Sequence, residues 1–436
     1  MTLTVPQTDP FWLQNASVPA ALLIPSPPAE ASQTWEGLVL VDILIQNGRI
    51  AQIIPATHQS SSEPCLDLAR KQVWSCFVDL HTHLDKGHIW NRTPNPDSTF
   101  TKALEMARKD SQSYWQAEDL YRRMEFALKC SYAHGTRAIR THLDVLPNRV
   151  EVSWEVFQTL RQEWADRITL QAVPLAGLDY FMGTEGEQVA DLVAEAGGIL
   201  GGVAWMNPEV AQQIDRMMDL ACDRNLPLDF HVDENNDPTS ITLQYIAEAA
   251  LKRSFPQQIV CGHACSLAVQ SPEVANLTID RVKEAGIGIV SLPMCNLYLQ
   301  DRQTGRTPRW RGVTLVHELK QKGVPVALAS DNCRDPFHGF GDHDGLEVFS
   351  QSAKIAHLDQ PYGDWPKAVT TTPAALMGLP HPSRLEVGAP ADLVIFKARN
   401  YSELLSRPQH DRLVLRNGRA IDTTLPDYSE LDDLGV

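Results

Sequence analysis

The sequence contains no long hydrophobic run and no leader-like amino terminus. No apolar stretch approaches the roughly 20 residues that a transmembrane helix needs, so we expect no membrane partner. The opening segment MTLTVPQTDPFW has no basic region followed by an apolar one, which is the pattern of a secretory signal. These absences predict a cytoplasmic protein.

Basic residues are scarce as well. The chain has 38 basic residues against 54 acidic ones, and its formal net charge is -16. Proteins that bind nucleic acids release counterions through clustered Lys and Arg side chains, and no basic stripe of that kind occurs here. The charge balance therefore excludes nucleic acid as a partner and leaves the fold open.

Cysteines number eight, and no two of them form a CxxC pair. The zinc-ribbon pattern is therefore absent, and the cysteines are too sparse for a disulfide scaffold. We expect buried, reduced thiols. Neither Cys265 nor Cys333 has an activating pattern beside it.

What the chain does contain is two similar hairpin patterns, one near each end. β-rich runs flank an Asn-Gly pair at residues 47–48 and another at residues 417–418, and such pairs favour tight β-turns. We predict that residues 1–72 and 385–436 build one small β-sandwich module. Two separate β-appendages are the alternative.

The intervening residues, 73–384, alternate between short apolar runs and amphipathic stretches. The runs read as buried parallel strands, each followed by a helix. This strict alternation favours an α/β fold, specifically a (β/α)8 TIM-like barrel, over an open sheet. The predicted strands are the eight segments 74–83, 136–145, 167–175, 198–206, 226–234, 258–264, 286–292 and 324–331.

Polar residues cluster where these predicted strands end. The first strand ends in His81 and His83, the fifth in His231, and the eighth in Asp331. The carboxyl ends of barrel strands open onto one mouth, and residues two apart in a strand point to the same side. Three imidazoles and one carboxylate suit Zn²⁺ or Fe²⁺, with room for a water. Each histidine taken alone would be a structural, hydrogen-bonded residue.

Two further residues beside this group predict proton chemistry. Glu234 lies three residues beyond His231 and is suited to take a proton from the attacking water and return it to the substrate. His263, at the end of the sixth strand, would orient the nucleophile or stabilise an oxyanion, and Asp331 would also accept the water's proton. A supporting partner of a ligand imidazole is the alternative for Glu234, and a core histidine is the alternative for His263.

The fourth predicted strand indicates how many ions the site holds. Binuclear barrels of this kind use a bridging ligand at its end, and the segment GGILGGVAWMNP contains no Lys, Glu or Cys. We therefore expect one divalent ion.

Other residues are candidates for the substrate pocket. His142 ends the second strand and either lines the pocket or packs in the core. Trp90 lies in a long loop after the first strand, where it either covers a flat ring or anchors the loop. The remaining histidines, which include His58, His88 and His343, are interpreted as solvated or structural.

The motifs HTHLDK, RTHLD, HVDE, GHACS, NLYLQDR, TPRWRG and SDNCRDPF together resemble the bacterial cytosine deaminase branch of the amidohydrolase superfamily. The tail TTTPAALMGL and LEVGAPADLVI resembles that superfamily's return to its β-module, so the resemblance covers nearly the whole chain. It implies one Zn²⁺ or Fe²⁺ bound by His81, His83, His231 and Asp331, and a hydrolytic deamination in which Glu234 shuttles the proton and His263 assists at the water.

Two substrate-binding positions depart from that pattern. Leu175 stands where the cytosine deaminases have a glutamine that binds the pyrimidine, and Asn332 stands where they have a second acidic residue. Because leucine cannot form hydrogen bonds, cytosine would leave polar edges unpaired at a cost of about 1–3 kcal/mol.

The sequence therefore predicts a metal-dependent deaminase of an aminated heterocycle, with cytosine as the best single substrate. Its partner is a small molecule, and a homo-oligomer is possible. The alternatives are hydrolysis of a substituted amine on a triazine-like ring or of a cyclic amide, and a metal-stabilised binding protein without turnover.

Overall fold

A computed structural model describes residues 4–28, 30–56, 63–145 and 150–435. The chain divides into two compact units, each assembled from segments that are distant in sequence. The first unit comprises Met1–Val78, Lys129–Ala138 and Asp344–Pro426. The second unit comprises Asp79–Leu128, Ile139–His343 and Asp427–Val436.

The described residues contain eighteen strands and twelve α-helices. The strands are β1 Phe11–Pro19, β2 Leu23–Ile24, β3 Leu38–Gln46, β4 Arg49–Pro55, β5 Cys65–Asp67, β6 Val73–Ser75, β7 Phe77–Thr82, β8 Thr136–Asp144, β9 Thr169–Leu175, β10 Leu200–Ala204, β11 Leu228–Val232, β12 Ile259–His263, β13 Gly288–Ser291, β14 Val326–Leu328, β15 Leu385–Glu386, β16 Leu393–Ile395, β17 Leu413–Arg416 and β18 Arg419–Ala420.

The helices fall mainly between β7 and β16, where they alternate with the strands. They are α1 Phe100–Tyr114, α2 Ala117–Ala133, α3 Val150–Glu163, α4 Thr184–Glu195, α5 Val210–Arg224, α6 Thr242–Arg253, α7 Pro272–Glu284, α8 Pro293–Leu299, α9 Val316–Gln321, α10 Gly345–Ala356, α11 Thr371–Leu376 and α12 Tyr401–Leu405. The fold is thus a mixed α/β fold. None of the helices in the described part of the chain is long and apolar enough to cross a membrane.

The first unit contains two four-stranded sheets, of order β4-β3-β1-β5 and β18-β17-β16-β6. Both predicted Asn-Gly turns are present there, since Asn47 and Asn417 have φ of 52° and 47° and each precedes a glycine at φ 72°. Turns with positive φ at both central residues match the twist of antiparallel strands. They close the hairpins β3–β4 and β17–β18.

A buried ion pair also lies in the first unit. Nη1 and Nη2 of Arg412 donate to the two carboxylate oxygens of Asp344 over 2.7 and 2.6 Å, and both side chains are almost fully buried. The guanidinium of Arg412 and the ring of His134 outweigh the effect of burial and lower the pKa of Asp344 to about 2. Asp344 also accepts a hydrogen bond from the amide of Leu346, and so caps α10.

The strands that end beside the candidate site have their carboxyl ends in the second unit. β10 to β14 form one parallel sheet in chain order, and β7, β8 and β9 form a second sheet in that order. These are the eight predicted strands. The first predicted segment proved to be two strands, because the chain leaves β6 at Cys76 and β6 pairs with β16 instead.

Backbone hydrogen bonds connect these two sheets at both edges, at the ends of β9 and β10 and at the ends of β14 and β7. The amide of Val203, at the end of β10, donates to the carbonyl of Ala176, just after β9, over 2.8 Å. At the other edge the amide of Asp331 donates to the carbonyl of His81 in β7 over 2.9 Å. The carboxyl ends of β7 and β14 are therefore adjacent, as the site requires.

Asp233 holds the end of β11 in place. Its carboxylate accepts hydrogen bonds from the backbone amides of Thr242 and Leu243 over 2.9 and 3.0 Å, and so caps the start of α6. The hydroxyl of Ser240 donates to the same carboxylate over 2.7 Å. Because Asp233 is anchored in this way, its neighbours His231 and Glu234 have little freedom to move.

Candidate metal centre and active site

Four buried histidines of the second unit meet near the carboxyl ends of three strands. His81 belongs to β7 and His83 follows that strand directly, while His142 belongs to β8 and His231 to β11. Their candidate ligand nitrogens all lie within 4.8 Å of one another. The ring centroid of His81 lies 4.1 Å from that of His142 and 4.4 Å from that of His231. The structure thus brings the three predicted histidine ligands together and adds His142 to them.

Asp331 lies against this histidine group. Its Oδ1 lies 3.2 Å from Nε2 of His83 and 3.7 Å from Nε2 of His81. The hydroxyl of Thr82 donates to the backbone carbonyl of Asp331 over 2.8 Å, and the backbone of Asp331 adopts a left-handed φ of 62°. The fourth predicted ligand is therefore also at the site, and it is held there through its backbone.

Several buried polar atoms in this group have no hydrogen-bond partner. They include both ring nitrogens of His81 and of His231, and Oδ1 of Asp331. Leaving such an atom unpaired costs about 1–3 kcal/mol, and native proteins rarely tolerate several together. Imidazole nitrogens and a carboxylate oxygen are the ligands that Zn²⁺ and Fe²⁺ accept. The group therefore fits a divalent cation.

The electrostatics of the group favour a bound cation as well. Burial and the neighbouring imidazoles hold the pKa of His81 and of His231 well below its ordinary value, so both rings keep the lone pairs that bind metals. Burial and the nearby Asp335 carboxylate raise the pKa of Asp331 to about 8. A cation beside Asp331 would offset the cost of its negative charge.

Glu234 and His263, the two residues predicted to carry protons, are in contact. Nδ1 of His263 lies 3.4 Å from Oε1 of Glu234. Asn296 in α8 faces both, with its Nδ2 3.3 Å from that carboxylate oxygen and 3.0 Å from that ring nitrogen. The backbone carbonyl of Glu234 accepts from Gln300 over 3.2 Å, so α8 and the residue after it position this pair.

The protonation of this pair follows from its surroundings. Burial, together with the negative charge of Asp331, raises the pKa of Glu234 well above its ordinary value. Burial lowers the pKa of His263 to about 3, and the His142 ring adds to this shift. With the amide nitrogen of Asn296 donating to Nδ1, the ring proton of His263 belongs on Nε2.

His142 is held by a buried carboxylate. Its Nε2 lies 3.4 Å from Oδ1 of Asp229, whose other oxygen accepts from Arg140 over 2.7 Å. Arg140 in turn donates to Gln171 in β9 over 2.9 Å. These contacts hold the ring of His142 against the candidate ligand histidines His81 and His231.

The other three predicted substrate-binding residues, Asn332, Leu175 and Trp90, differ in burial and in their contacts. Asn332 follows Asp331 and is buried, with its amide nitrogen donating to the Asp335 carboxylate over 2.6 Å. Leu175 ends β9 and is half-buried. The ring of Trp90 packs against the chain at Gly339, where an added Cβ would lie 3.2 Å from it. That packing places Trp90 against the loop after β14, as a loop anchor would be.

Sequence reasoning missed four buried residues that support the site. Asn296 and Asp229 orient its histidines, Asp335 partners Asn332, and Lys86 forms an ion pair with Asp144 over 2.6 Å. Asn296 carried one usable signal, its place in the first helical turn after β13. Of the other histidines, His58 lies outside the described residues.

Comparison with known proteins identifies the family of this chain. The model of the amidohydrolase family matches residues 131–421. A pterin deaminase of Rhizobium rhizogenes strain K84 is 49% identical over 433 residues, which cover 99% of this chain and 98% of that protein. An N-isopropylammelide isopropyl amidohydrolase of Pseudomonas sp. strain ADP is 24% identical over 395 residues, covering 87% of this chain and 93% of that protein.

The fold is similar to that of solved enzymes. The crystal structure of a 5-methylcytosine deaminase from Klebsiella pneumoniae, liganded with 5-fluorocytosine, matches with a TM-score of 0.81 at 25% identity and covers 95% of this chain and 98% of that one. An N-isopropylammelide isopropylaminohydrolase from Burkholderia multivorans matches with a TM-score of 0.76 at 21% identity, over 95% and 98% of the two chains. With the family model and the relative at 49% identity agreeing, this chain belongs to the amidohydrolase family.

Proposed function

We propose that this protein is a metal-dependent hydrolytic deaminase whose substrate is a pterin. The reaction replaces the ring amino group by oxygen and releases ammonia. The observation that carries the substrate class is the 49% identity to a pterin deaminase across almost the full length of both chains. The histidine and carboxylate group at the strand ends supports the reaction type, since its unpaired buried atoms fit a catalytic cation.

The proposal also assigns the ligands and the architecture. His81, His83, His231 and Asp331 hold one divalent ion, Zn²⁺ or Fe²⁺, and the two parallel sheets close into a (β/α)8 barrel. The β-sandwich module of residues 1–72 and 385–436, the cytoplasmic location and the homo-oligomer stay predictions. When bound, such an ion lowers the pKa of water to about 7 and so supplies the nucleophile.

The remaining steps belong to this chain's own residues. The Glu234 carboxyl group transfers a proton to the ring nitrogen next to the carbon under attack, and then accepts one from the water side and passes it to the amino group, which leaves as ammonia. The pKa of Glu234 is raised by burial, and a raised pKa helps a carboxyl group to donate a proton as well as accept one. Nε2–H of His263 donates a hydrogen bond toward the developing negative charge.

Cytosine, the substrate predicted from the sequence, is the second candidate. The 5-methylcytosine deaminase fold match, with its TM-score of 0.81, favours this ring. Leu175 weighs against it, because this half-buried side chain offers no hydrogen bond to a pyrimidine. Pterin and cytosine share an amino-bearing carbon beside a ring nitrogen, so the same proton transfers serve both rings.

Hydrolysis of a substituted amine on a triazine is the remaining alternative. It rests on the relative at 24% identity, the N-isopropylammelide isopropyl amidohydrolase. The products separate this reaction from deamination, because an N-alkyl substrate releases an alkylamine and an amino substrate releases ammonia.

The test is ammonia release by the metal-loaded protein from pterin, cytosine, 5-methylcytosine and N-isopropylammelide. We expect ammonia from pterin at the highest kcat/KM, with loss of activity in metal-stripped protein and in the Glu234→Gln variant. Cytosine preferred over pterin would overturn the substrate assignment and keep the reaction. Isopropylamine from N-isopropylammelide, without ammonia from either ring, would overturn the deaminase assignment.

A further inference from the structure

A second buried group of metal-ligating side chains lies in the second unit, apart from the residues assigned above. It consists of His88, in the segment between β7 and α1, and of Cys333 and His343, between β14 and α10. Their exposures are 3%, 1% and 3%. One candidate ligand atom from each lies within 4.8 Å of those of the other two.

His88 shows that ordinary packing does not account for this group. Neither of its ring nitrogens has a hydrogen-bond partner, although both are buried. The ring packs edge-on against Phe126 at 4.9 Å between centroids, and its centroid lies 5.5 Å from that of His343. A neutral imidazole with two unpaired nitrogens in such a place costs about 1–3 kcal/mol for each unpaired nitrogen, and coordination by one nitrogen would remove part of that cost.

The backbone around the group is held firmly. The amide of His88 donates to the carbonyl of Cys333 over 3.1 Å, and the amide of Trp90 donates to that of Arg334 over 2.8 Å. Arg123 donates to the carbonyl of Gly87 over 2.9 Å. The two segments are therefore joined by their main chains, and the three side chains are brought together before any ligand arrives.

We propose that His88, Cys333 and His343 form a second metal site, which takes a thiophilic transition-metal ion such as Zn²⁺. Two imidazoles and one thiolate are ligands that such ions accept, whereas Mg²⁺ and Ca²⁺ prefer oxygen. On binding, a metal–sulfur bond forms and the Cys333 thiol loses its proton to solvent, so each ion releases one proton.

The Cys333 thiolate limits the positive charge that this ion brings to the site. Zn²⁺ with one thiolate carries a net charge of +1, and the nearby cation Arg123 is already paired with Asp119 over 2.8 Å. Burial and the positive charges of Arg334 and Arg123, together with His343, lower the pKa of His88 well below its ordinary value, so its lone pairs stay available.

The position of the site indicates a role. Cys333 lies two residues after Asp331, and His88 lies five residues after His83. An ion bound here would link the segment after His83 to the segment after Asp331. It would restrain both segments, and this role does not depend on which substrate the enzyme takes.

Cobalt titration of the metal-stripped full-length protein tests this site directly. Co²⁺ bound by a thiolate gives a sulfur-to-metal charge-transfer absorption in the near ultraviolet, and none of the four proposed catalytic ligands is a cysteine. We expect this absorption in the wild-type protein, its loss in Cys333→Ser, and its retention in Cys295→Ser. Cys295 is a suitable control because it is also buried in the second unit.

Metal counting on the zinc-loaded proteins provides the second readout. We expect two zinc ions in the wild type, one in Cys333→Ser, and one in a His231→Ala variant that keeps the cobalt–thiolate absorption. Should Cys333→Ser fail to fold by circular dichroism, His88→Asn takes its place and should weaken Co²⁺ binding at this site more than about 100-fold, beyond what loss of an outer-sphere partner causes.

Two results would overturn the proposal. One is a folded wild-type protein that shows no thiolate absorption at saturating Co²⁺. The other is an absorption that survives both Cys333→Ser and His88→Asn. Failure of the proposed catalytic metal site would give a different result. The thiolate absorption would be present, but His231→Ala would bind as many zinc ions as the wild type.

Discussion

Two aspartates, one in each unit, are both buried, but their pKa values are shifted in opposite directions. In the first unit Asp344 is bound at both oxygens by Arg412, and its pKa falls to about 2. In the second unit Oδ1 of Asp331 has no hydrogen-bond partner, and burial raises the pKa of that carboxyl group to about 8.

The difference separates a structural carboxylate from a proposed ligand carboxylate. A buried carboxylate is costly unless a cation and hydrogen bonds compensate it. At Asp344 the protein supplies the cation from its own chain. At Asp331 the immediate neighbours are neutral imidazoles, which are themselves candidate ligands, and on the proposed function a metal ion supplies the compensating charge.

Replacing Asp331 by alanine should abolish the reaction while leaving the fold intact. We expect activity to fall more than about 10⁴-fold, because the nucleophile depends on an ion that lowers the pKa of water from about 15.7 to about 7. In metal-stripped protein the same change should leave the free energy of unfolding unchanged within about 1 kcal/mol. Ammonia release and urea denaturation measure the two effects, and a large destabilisation would show that Asp331 is structural.

Glu234→Gln should slow the reaction without releasing the metal. We expect kcat to fall by about 10²–10⁴-fold, the usual contribution of a proton-transferring side chain, with zinc content equal to that of the wild type. Single-turnover kinetics and metal analysis check this outcome. Loss of zinc in this variant would mean that Glu234 helps to hold the ion, which would contradict its assignment as a proton-transferring residue only.

Asp344→Asn should show the reverse behaviour of Asp331→Ala. Removing one partner of a buried ion pair leaves Arg412 uncompensated, which costs about 3–5 kcal/mol. We expect this loss in the free energy of unfolding, with unchanged zinc content in the fraction that stays folded. A loss below about 1 kcal/mol would show that the Asp344–Arg412 pair stabilises the protein no more than a surface ion pair does. Asp344 would then not differ from Asp331 in its contribution to stability.

Acid should weaken the first unit through Asp344. Its folded pKa of about 2 lies below the value of about 3.9 expected in the unfolded chain, so its contribution is present above about pH 4 and is lost as the pH falls toward 2. The loss amounts to roughly 2–3 kcal/mol. Unfolding measured between pH 5 and pH 2.5 should therefore show a steeper decline in the wild type than in Asp344→Asn.

The sequence identified most of the candidate site because the site is built on strands. His81 and His83 are two apart, so strand periodicity alone places them on one side. His231 and His263 end strands that were recognisable as apolar runs, and these strands were found within a few residues of their observed bounds. Patterns of this kind are local and can be read without knowing the course of the chain.

The supporting contacts could not be read in that way. Asn296 reaches Glu234 and His263 from a helix, and Asn332 turns to Asp335 across a loop. These contacts depend on how loops without a fixed period run, and propensity does not specify that. Trp90 is the clearest case, since its loop packs its ring against Gly339.

The alternation of strands and helices, the two Asn-Gly hairpins and the histidines at the strand ends were predictable from the sequence, because each follows from a short-range period or turn preference. Three contacts became visible only in the folded chain: His142 beside the candidate ligand histidines, Arg412 against Asp344, and His88 with Cys333 and His343. Residues 245 positions apart, such as His88 and Cys333, come together only when the strands that carry their loops are side by side.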